Sequence, residues 1–189
     1  MNYNCRLVRP ILLAAASLLI FLYFGWAILW YYKNLQLKDV PDALEVTSVE
    51  YSLEESWGFG PGGNEAGIRT YRLPDKIATL ALSGLTFFQN LPENAQGTRS
   101  SSDSSGSYYD WRETPIIPDK IRWRSYKEGQ SLRAYDYICR YGFCIDVDRG
   151  VMEEVNSIIN TPGSYYAYGR IGLILVNPKK RLVVYLYNG

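Results

Sequence analysis

The sequence predicts an α+β protein, an N-terminal transmembrane helix followed by one mainly antiparallel sheet of five to seven strands with two packed helices. Three observations carry that expectation. Residues 11–32 are an unbroken apolar run without a charge. Residues 149–160 repeat Met152, Val155, Ile158 and Ile159 at helical spacing. Short runs rich in Val, Ile and Tyr, bounded by Gly, Pro and Asn, recur on both sides of that helix.

The apolar run, ILLAAASLLIFLYFGWAILWYY, is 22 residues long. At about 1.5 Å per residue it covers roughly 33 Å as a helix, against a hydrocarbon core about 30 Å thick. Trp26, Trp30, Tyr31 and Tyr32 crowd its second end, where amphipathic rings favour the headgroup level. Lys33 follows at once, and Arg6 and Arg9 flank the first end. A cleaved signal peptide would carry an apolar core of about 7–15 residues and small residues at its cleavage site, where this chain has bulky aromatics. The expected division is a tail over 1–10, the span over 11–32, a tether over 33–44 with Pro41, and one domain over 45–189. Arg6, Arg9 and the terminal amine outweigh Lys33 and Lys38 by a narrow margin. The expected orientation therefore puts the N-terminus in the cytoplasm and the domain outside it, in the periplasm if the source is a Gram-negative bacterium.

Composition removes several function classes. All 19 acidic residues follow the run, with 18 of the 20 basic ones, a net charge of −1 that does not fit a nucleic-acid-binding protein. The chain has no histidine, which removes Ser-His and Cys-His nucleophile pairs and a frequent metal ligand. Of three cysteines, Cys5 precedes the run, while Cys139 and Cys144 bracket four residues. The flanks AYDYI and IDVD read as strands, so the two thiols would face each other across a hairpin within disulfide range. Such a bond belongs to an oxidising compartment; two free thiols are the alternative. No cofactor or metal site is implied by the pattern.

Along the chain, residues 45–52 read as a strand and residues 57–67, WGFGPGGNEAG, as a glycine-rich loop. Gly58, Gly60 and Gly63 spell G-x-G-x-x-G, but Pro61 removes a donor and IRTYRL after it reads as a strand, so the helix that would hold a pyrophosphate is missing. Pro74 and Asp75 open a helix with Ile77, Leu80 and Leu82 on its apolar side and Gly84 at its end. Residues 85–88 read as a short strand or buried connection, and the Ser-rich residues 97–107 as a mobile loop. Residues 120–124 alternate Lys120, Arg122 and Arg124 against Ile121 and Trp123, an edge strand with a basic face. Asp148 caps the second helix. Residues 171–176 and 181–187 are nearly continuous apolar runs, expected at the centre of the sheet.

These features point to a membrane-anchored, non-catalytic binding or assembly module of the cell envelope, with an inhibitor or immunity-type blocker of one partner as a variant. Tyr and Trp favour contact surfaces. The candidate contact residues are Trp57, Phe59, Gly60, Asn64 and Glu65 in the glycine-rich loop, with Arg122, Trp123 and Arg124 on the basic strip. The expected partners are a membrane, crossed once, and a protein. One alternative is a surface sensor using the basic strip to bind anionic lipid or a small ligand. The other is a carboxylate-based cell-wall hydrolase, for which Glu54, Glu55, Glu65 and Asp136 are the acids to test.

Overall fold

The computed structural model describes residues 4–57, 65–91, 108–169 and 171–189. The glycine-rich positions Phe59, Gly60 and Asn64 and the Ser-rich stretch 97–107 lie outside the described residues. The chain divides into two compact units, Met1–Gln36 and Leu37–Gly189.

The first unit is helical. Helix α1 spans Asn4–Leu37, longer at both ends than the apolar run alone. Its segment Leu12–Leu37 is long and apolar enough to cross a membrane, and its apolar 18-residue window is unburied.

The second unit is built on a six-stranded antiparallel sheet. Its strands are β1 (Val49–Ser56), β2 (Glu65–Arg72), β3 (Tyr109–Glu113), β4 (Tyr165–Tyr168), β5 (Gly172–Asn177) and β6 (Leu182–Asn188), in the order β1-β2-β6-β5-β4-β3. The last strand in sequence therefore lies inside the sheet. Residues Ala66–Arg72 pair with Leu182–Asn188, and β5 pairs with β6 on the other side, from Gly172 opposite Tyr187 to Asn177 opposite Leu182. Every residue of β6 is buried, the outcome that its unbroken apolar run implies.

Both faces of the sheet are covered. One face sends Tyr71, Ile174, Val176, Val183, Tyr185 and Tyr187 against α2 (Asp75–Ala81), α3 (Leu85–Gln89) and residues 37–46. The other sends Ile68, Leu173, Leu175, Val184 and Leu186 against α4 (Ala134–Ile138) and α5 (Arg149–Asn160). Helix α5 has the expected bounds, and the Asp148 carboxylate accepts from the Val151 N–H at its first turn. Val155, Ile158 and Ile159 are its buried stripe.

Several local expectations are corrected. Residues 33–44 do not form a free tether: Leu37, Val40 and Leu44 are buried in the first core, and Asp42–Leu44 is a single 3-10 turn. The first strand starts at Val49, not residue 45. Residues 85–88 belong to helix α3, and the buried side of α2 is Ile77, Ala78 and Ala81, leaving Leu80 and Leu82 exposed. The cysteine hairpin is not a hairpin, because AYDYI is helix α4. Its buried apolar positions, Ala134, Tyr137 and Ile138, follow helical spacing, and Asp136 is buried beside them. Two α5 side chains hold its start, with Asn160 Oδ1 accepting from Leu132 N–H at 2.9 Å and Asn156 Oδ1 from Ala134 N–H at 2.7 Å.

Residues 120–124 form turns, not an edge strand. The Asp119 carboxylate accepts from the N–H groups of Ile121 at 2.9 Å and Arg122 at 2.6 Å, and the Asp119 carbonyl accepts from Trp123 N–H at 2.9 Å. That local bonding replaces a strand ladder. It separates Ile121 from Trp123, which the alternation had placed together: Ile121 is 70% exposed and Trp123 is 1% exposed. The strand at that edge of the sheet is β3 instead.

Candidate functional site

Cys139 and Cys144 form a disulfide with their Cα atoms 4.6 Å apart, within the range such bonds favour. The bond needs no hairpin, because the C-terminal end of α4 and a turn at Gly142 (φ +86°) bring the two residues together. It closes a loop carrying Arg140, Tyr141 and Phe143. Two separate stretches of chain meet on that loop. Trp57, the last described residue before the glycine-rich segment, stacks on Phe143 with ring centroids 5.0 Å apart. Arg124 and Arg140 both lie over the Tyr141 ring, at 5.7 and 4.7 Å from its centroid. Beside them Arg122 pairs with Asp119 at 2.9 Å and lies 4.2 Å over the Tyr168 ring.

The loop thus brings Trp57 and Arg124, two of the residues singled out from sequence, onto one structural element. Trp123 supports the surface from beneath. It is buried against Tyr137, and its indole N–H donates to the Tyr168 hydroxyl at 2.8 Å. Burial pushes the Tyr168 hydroxyl up to about 12. Burial also opposes ionisation of Asp119, but its hydrogen bonds from Arg122 and Ile121 win and hold the carboxyl below the usual range. Glu65 has a different role: it exchanges backbone hydrogen bonds with Gly189 at 2.7 and 2.8 Å, at the start of β2.

A second polar cluster runs from the first core to its edge at β1, where Glu54 is partly exposed. The Arg69 guanidinium, on β2, donates to Asp39 at 2.7 Å, to the Tyr187 hydroxyl at 3.1 Å and to Glu54. Tyr187 in turn donates to Glu54. The side chains of Arg69 and Asp39 are 10% and 16% exposed. Gly67 makes this possible: it faces Tyr187 across the ladder, and a Cβ there would run into the tyrosine ring. Two carboxylates share one guanidinium, so the cluster carries excess negative charge. Burial pushes the Asp39 carboxyl above the usual range even with Arg69 beside it.

The sign of that shift makes a prediction. A carboxyl raised on folding contributes stability that is complete below its unfolded pKa and is lost as pH rises through its folded value. Asp39→Asn removes this titration. Its stability relative to the natural chain is expected to improve as pH rises from the ordinary carboxylate range through the raised value of Asp39, and then to level off, as read from denaturant melts across the acid-to-neutral range.

The acids considered for hydrolysis are dispersed among these roles. Glu54 belongs to the Arg69 cluster, Asp136 accepts two hydrogen bonds from Arg133 at 3.0 and 2.6 Å, and Glu55 is exposed on the edge strand β1. A shallow depression beside α2 and α3 is walled by Ile77, Leu80, Phe87 and Leu91; its two charged residues, Glu45 and Lys76, pair with each other at 3.1 Å.

The fold and this site define a class, an α+β sheet domain continuous with one apolar N-terminal helix, bearing a disulfide-closed aromatic and cationic loop. No family model matches the chain, and no curated protein or solved structure matches it.

Sequence reasoning had not marked Phe143, Tyr141, Arg140 or the Asp39–Arg69–Glu54–Tyr187 cluster for these roles. One signal for Arg69 was present: an arginine in the middle of a strand whose neighbours Ile68 and Tyr71 are core types.

Proposed function

We propose that the chain is a membrane-anchored, non-catalytic binding module of the cell envelope, and that its contact surface is the disulfide-closed loop with the aromatic and cationic side chains stacked on it. The observation that carries this reading is the convergence of Trp57 and Arg124 onto the disulfide-closed 139–144 loop. Rigid aromatic and arginine side chains are the types that dominate binding energy at protein interfaces. Tyr141 is 49% exposed, so this ring is open to a partner.

The remaining parts of the reading agree with it. The disulfide favours an oxidising compartment, which supports a domain outside the cytoplasm and a cytoplasmic N-terminus. The absence of histidine, with Glu54 and Asp136 committed to arginines, favours binding over catalysis. The partner is a protein, and blocking its activity is one way such a module acts.

The test is site-specific photo-crosslinking in intact cells from Tyr141, with Lys179, an exposed turn residue, as the control position. A discrete protein adduct is expected from position 141 alone. Trp57→Ala, which removes the stacking partner of Phe143, is expected to weaken the adduct by at least about tenfold, the scale of an interface hot spot. Crosslinking that yields no adduct, or one indifferent to Trp57, overturns the reading.

A further inference from the structure

We infer that the turn of residues 117–127 is a peripheral membrane contact, in which Ile117 and Ile121 enter the headgroup layer while Lys120 and Lys127 meet anionic phospholipid. This goes beyond the protein-binding reading and does not depend on it; it requires only that α1 hold the chain at a bilayer.

The first observation is an apolar tip on a fixed frame. Ile117 and Ile121 are each 70% exposed, the most exposed large apolar side chains among the described residues of the Leu37–Gly189 unit. They do not sit on a loose loop. Ile116, immediately before them, is buried, and its N–H donates to the Ile159 carbonyl at 2.9 Å. Trp123, two residues after Ile121, is buried and hydrogen-bonded to Tyr168. Between those two anchors the Asp119 carboxylate staples the turn through the backbone of Ile121 and Arg122. A side chain held out to water by a bonded turn cannot fold back to hide its surface.

The second observation is charge. Residues 117–144 contain six basic and three acidic residues, whereas the rest of the Leu37–Gly189 unit has 11 basic against 16 acidic. Two of the three acids are engaged locally, Asp119 with Arg122 and Asp136 with Arg133. Among the described residues no carboxylate pairs with Lys120, Arg124 or Lys127. Lys120 and Lys127 are therefore exposed and available on the same turn as the two isoleucines, while Arg122 pairs with Asp119 and Arg124 lies over the Tyr141 ring.

An acidic protein would satisfy the cations but would have no general need for two aliphatic tips between them. The boundary between phospholipid headgroups and acyl chains satisfies both: apolar tips enter it, and basic side chains meet the anionic surface. The domain is also continuous with a helix long and apolar enough to cross a membrane. Docking is then an intramolecular event at high effective concentration, so a patch too small to recruit a free protein is sufficient.

The experiment uses the full chain with Cys5→Ser and a nitrobenzoxadiazole label on Ile121→Cys, in vesicles of phosphatidylcholine with and without phosphatidylglycerol. With phosphatidylglycerol the label is expected to shift to the blue and to be quenched by lipid-borne spin labels, with neither effect from a label on Lys179→Cys. Lys120→Gln and Lys127→Gln are each expected to lower the docked-to-undocked ratio about fivefold. A label on Ile117→Cys serves as second reporter where near-ultraviolet circular dichroism shows that modifying Ile121 disturbs the fold. Emission unchanged in both lipids overturns the inference. So does an equal shift in neutral vesicles, which removes the role of the cations. A shift that appears only when an acidic protein is added assigns the turn to a protein partner instead. None of these results bears on the crosslink from Tyr141.

Discussion

Deleting the last six residues, 184–189, is expected to abolish cooperative unfolding of the sheet domain. A C-terminal tail ordinarily tolerates trimming, but here it is an inner strand. The deletion removes the partners of residues 66–70 on β2 and of 172–175 on β5 in a single step. It also removes the backbone exchange between Gly189 and Glu65 that closes the end of β2. Val184 and Leu186 leave one core and Tyr185 and Tyr187 leave the other. At about 1.5–3 kcal/mol for each large buried side chain, those four account for roughly 6–12 kcal/mol. Domains of this kind have only about 5–15 kcal/mol of net stability, before the lost ladder is counted. The check is a thermal melt of the full chain in detergent, followed by near-ultraviolet circular dichroism, which reports tertiary packing and is indifferent to α1 persisting as a helix. A sharp transition within a few degrees of the natural chain would show that β6 is dispensable and that the strand order is wrong.

That strand was legible because its information is local. An unbroken run such as RLVVYLY has no polar alternation to offer water, so a sheet must cover both its sides. Helix α5 was legible for the same kind of reason, since Asp148, the apolar stripe and the stop after Asn160 are all written in consecutive residues. Helix α4 was not, because its first N–H is held by Asn156 and the residue leading into it by Asn160, both reaching from a later helix. The 119–123 turn failed differently: one aspartate side chain captured two backbone donors and outcompeted a plausible alternation. The contact loop was half legible. Trp57 and Arg124 were marked for being aromatic and basic, yet nothing near them in sequence says that Phe143 and Tyr141 are their neighbours. The Arg69 cluster needed strand register, since only the pairing of β2 with β6 places Gly67 under Tyr187.

Replacing Arg69 by leucine is expected to cost about 3–5 kcal/mol, the scale observed when one partner of a buried ion pair is removed. The reason is what remains. Asp39 and Glu54 lose the guanidinium that both contact, and Asp39 is too well covered for water to take its place. Tyr187 still donates to Glu54, but a neutral hydroxyl does not offset two neighbouring negative charges. Apolar packing of the new side chain pulls the other way, and the electrostatic loss is expected to win because Tyr71, Tyr185 and Tyr187 already fill the surrounding core. Two further measurements separate this cause from simple misfit. First, the triple variant Arg69→Leu, Asp39→Asn, Glu54→Gln is expected to be more stable than Arg69→Leu alone, since removing every charge of a buried network is often nearly neutral. Second, the deficit of the single variant is expected to shrink as pH falls. Without Arg69 the buried Asp39 carboxyl loses the charge that opposes its upward shift, so it binds its proton more tightly in the folded than in the unfolded chain and protonation favours the fold. Denaturant titrations of the full chain in detergent at neutral and mildly acid pH measure both effects. A deficit that ignores pH and survives the triple substitution would mean that Arg69 acts through its shape, and that the two carboxylates are bystanders.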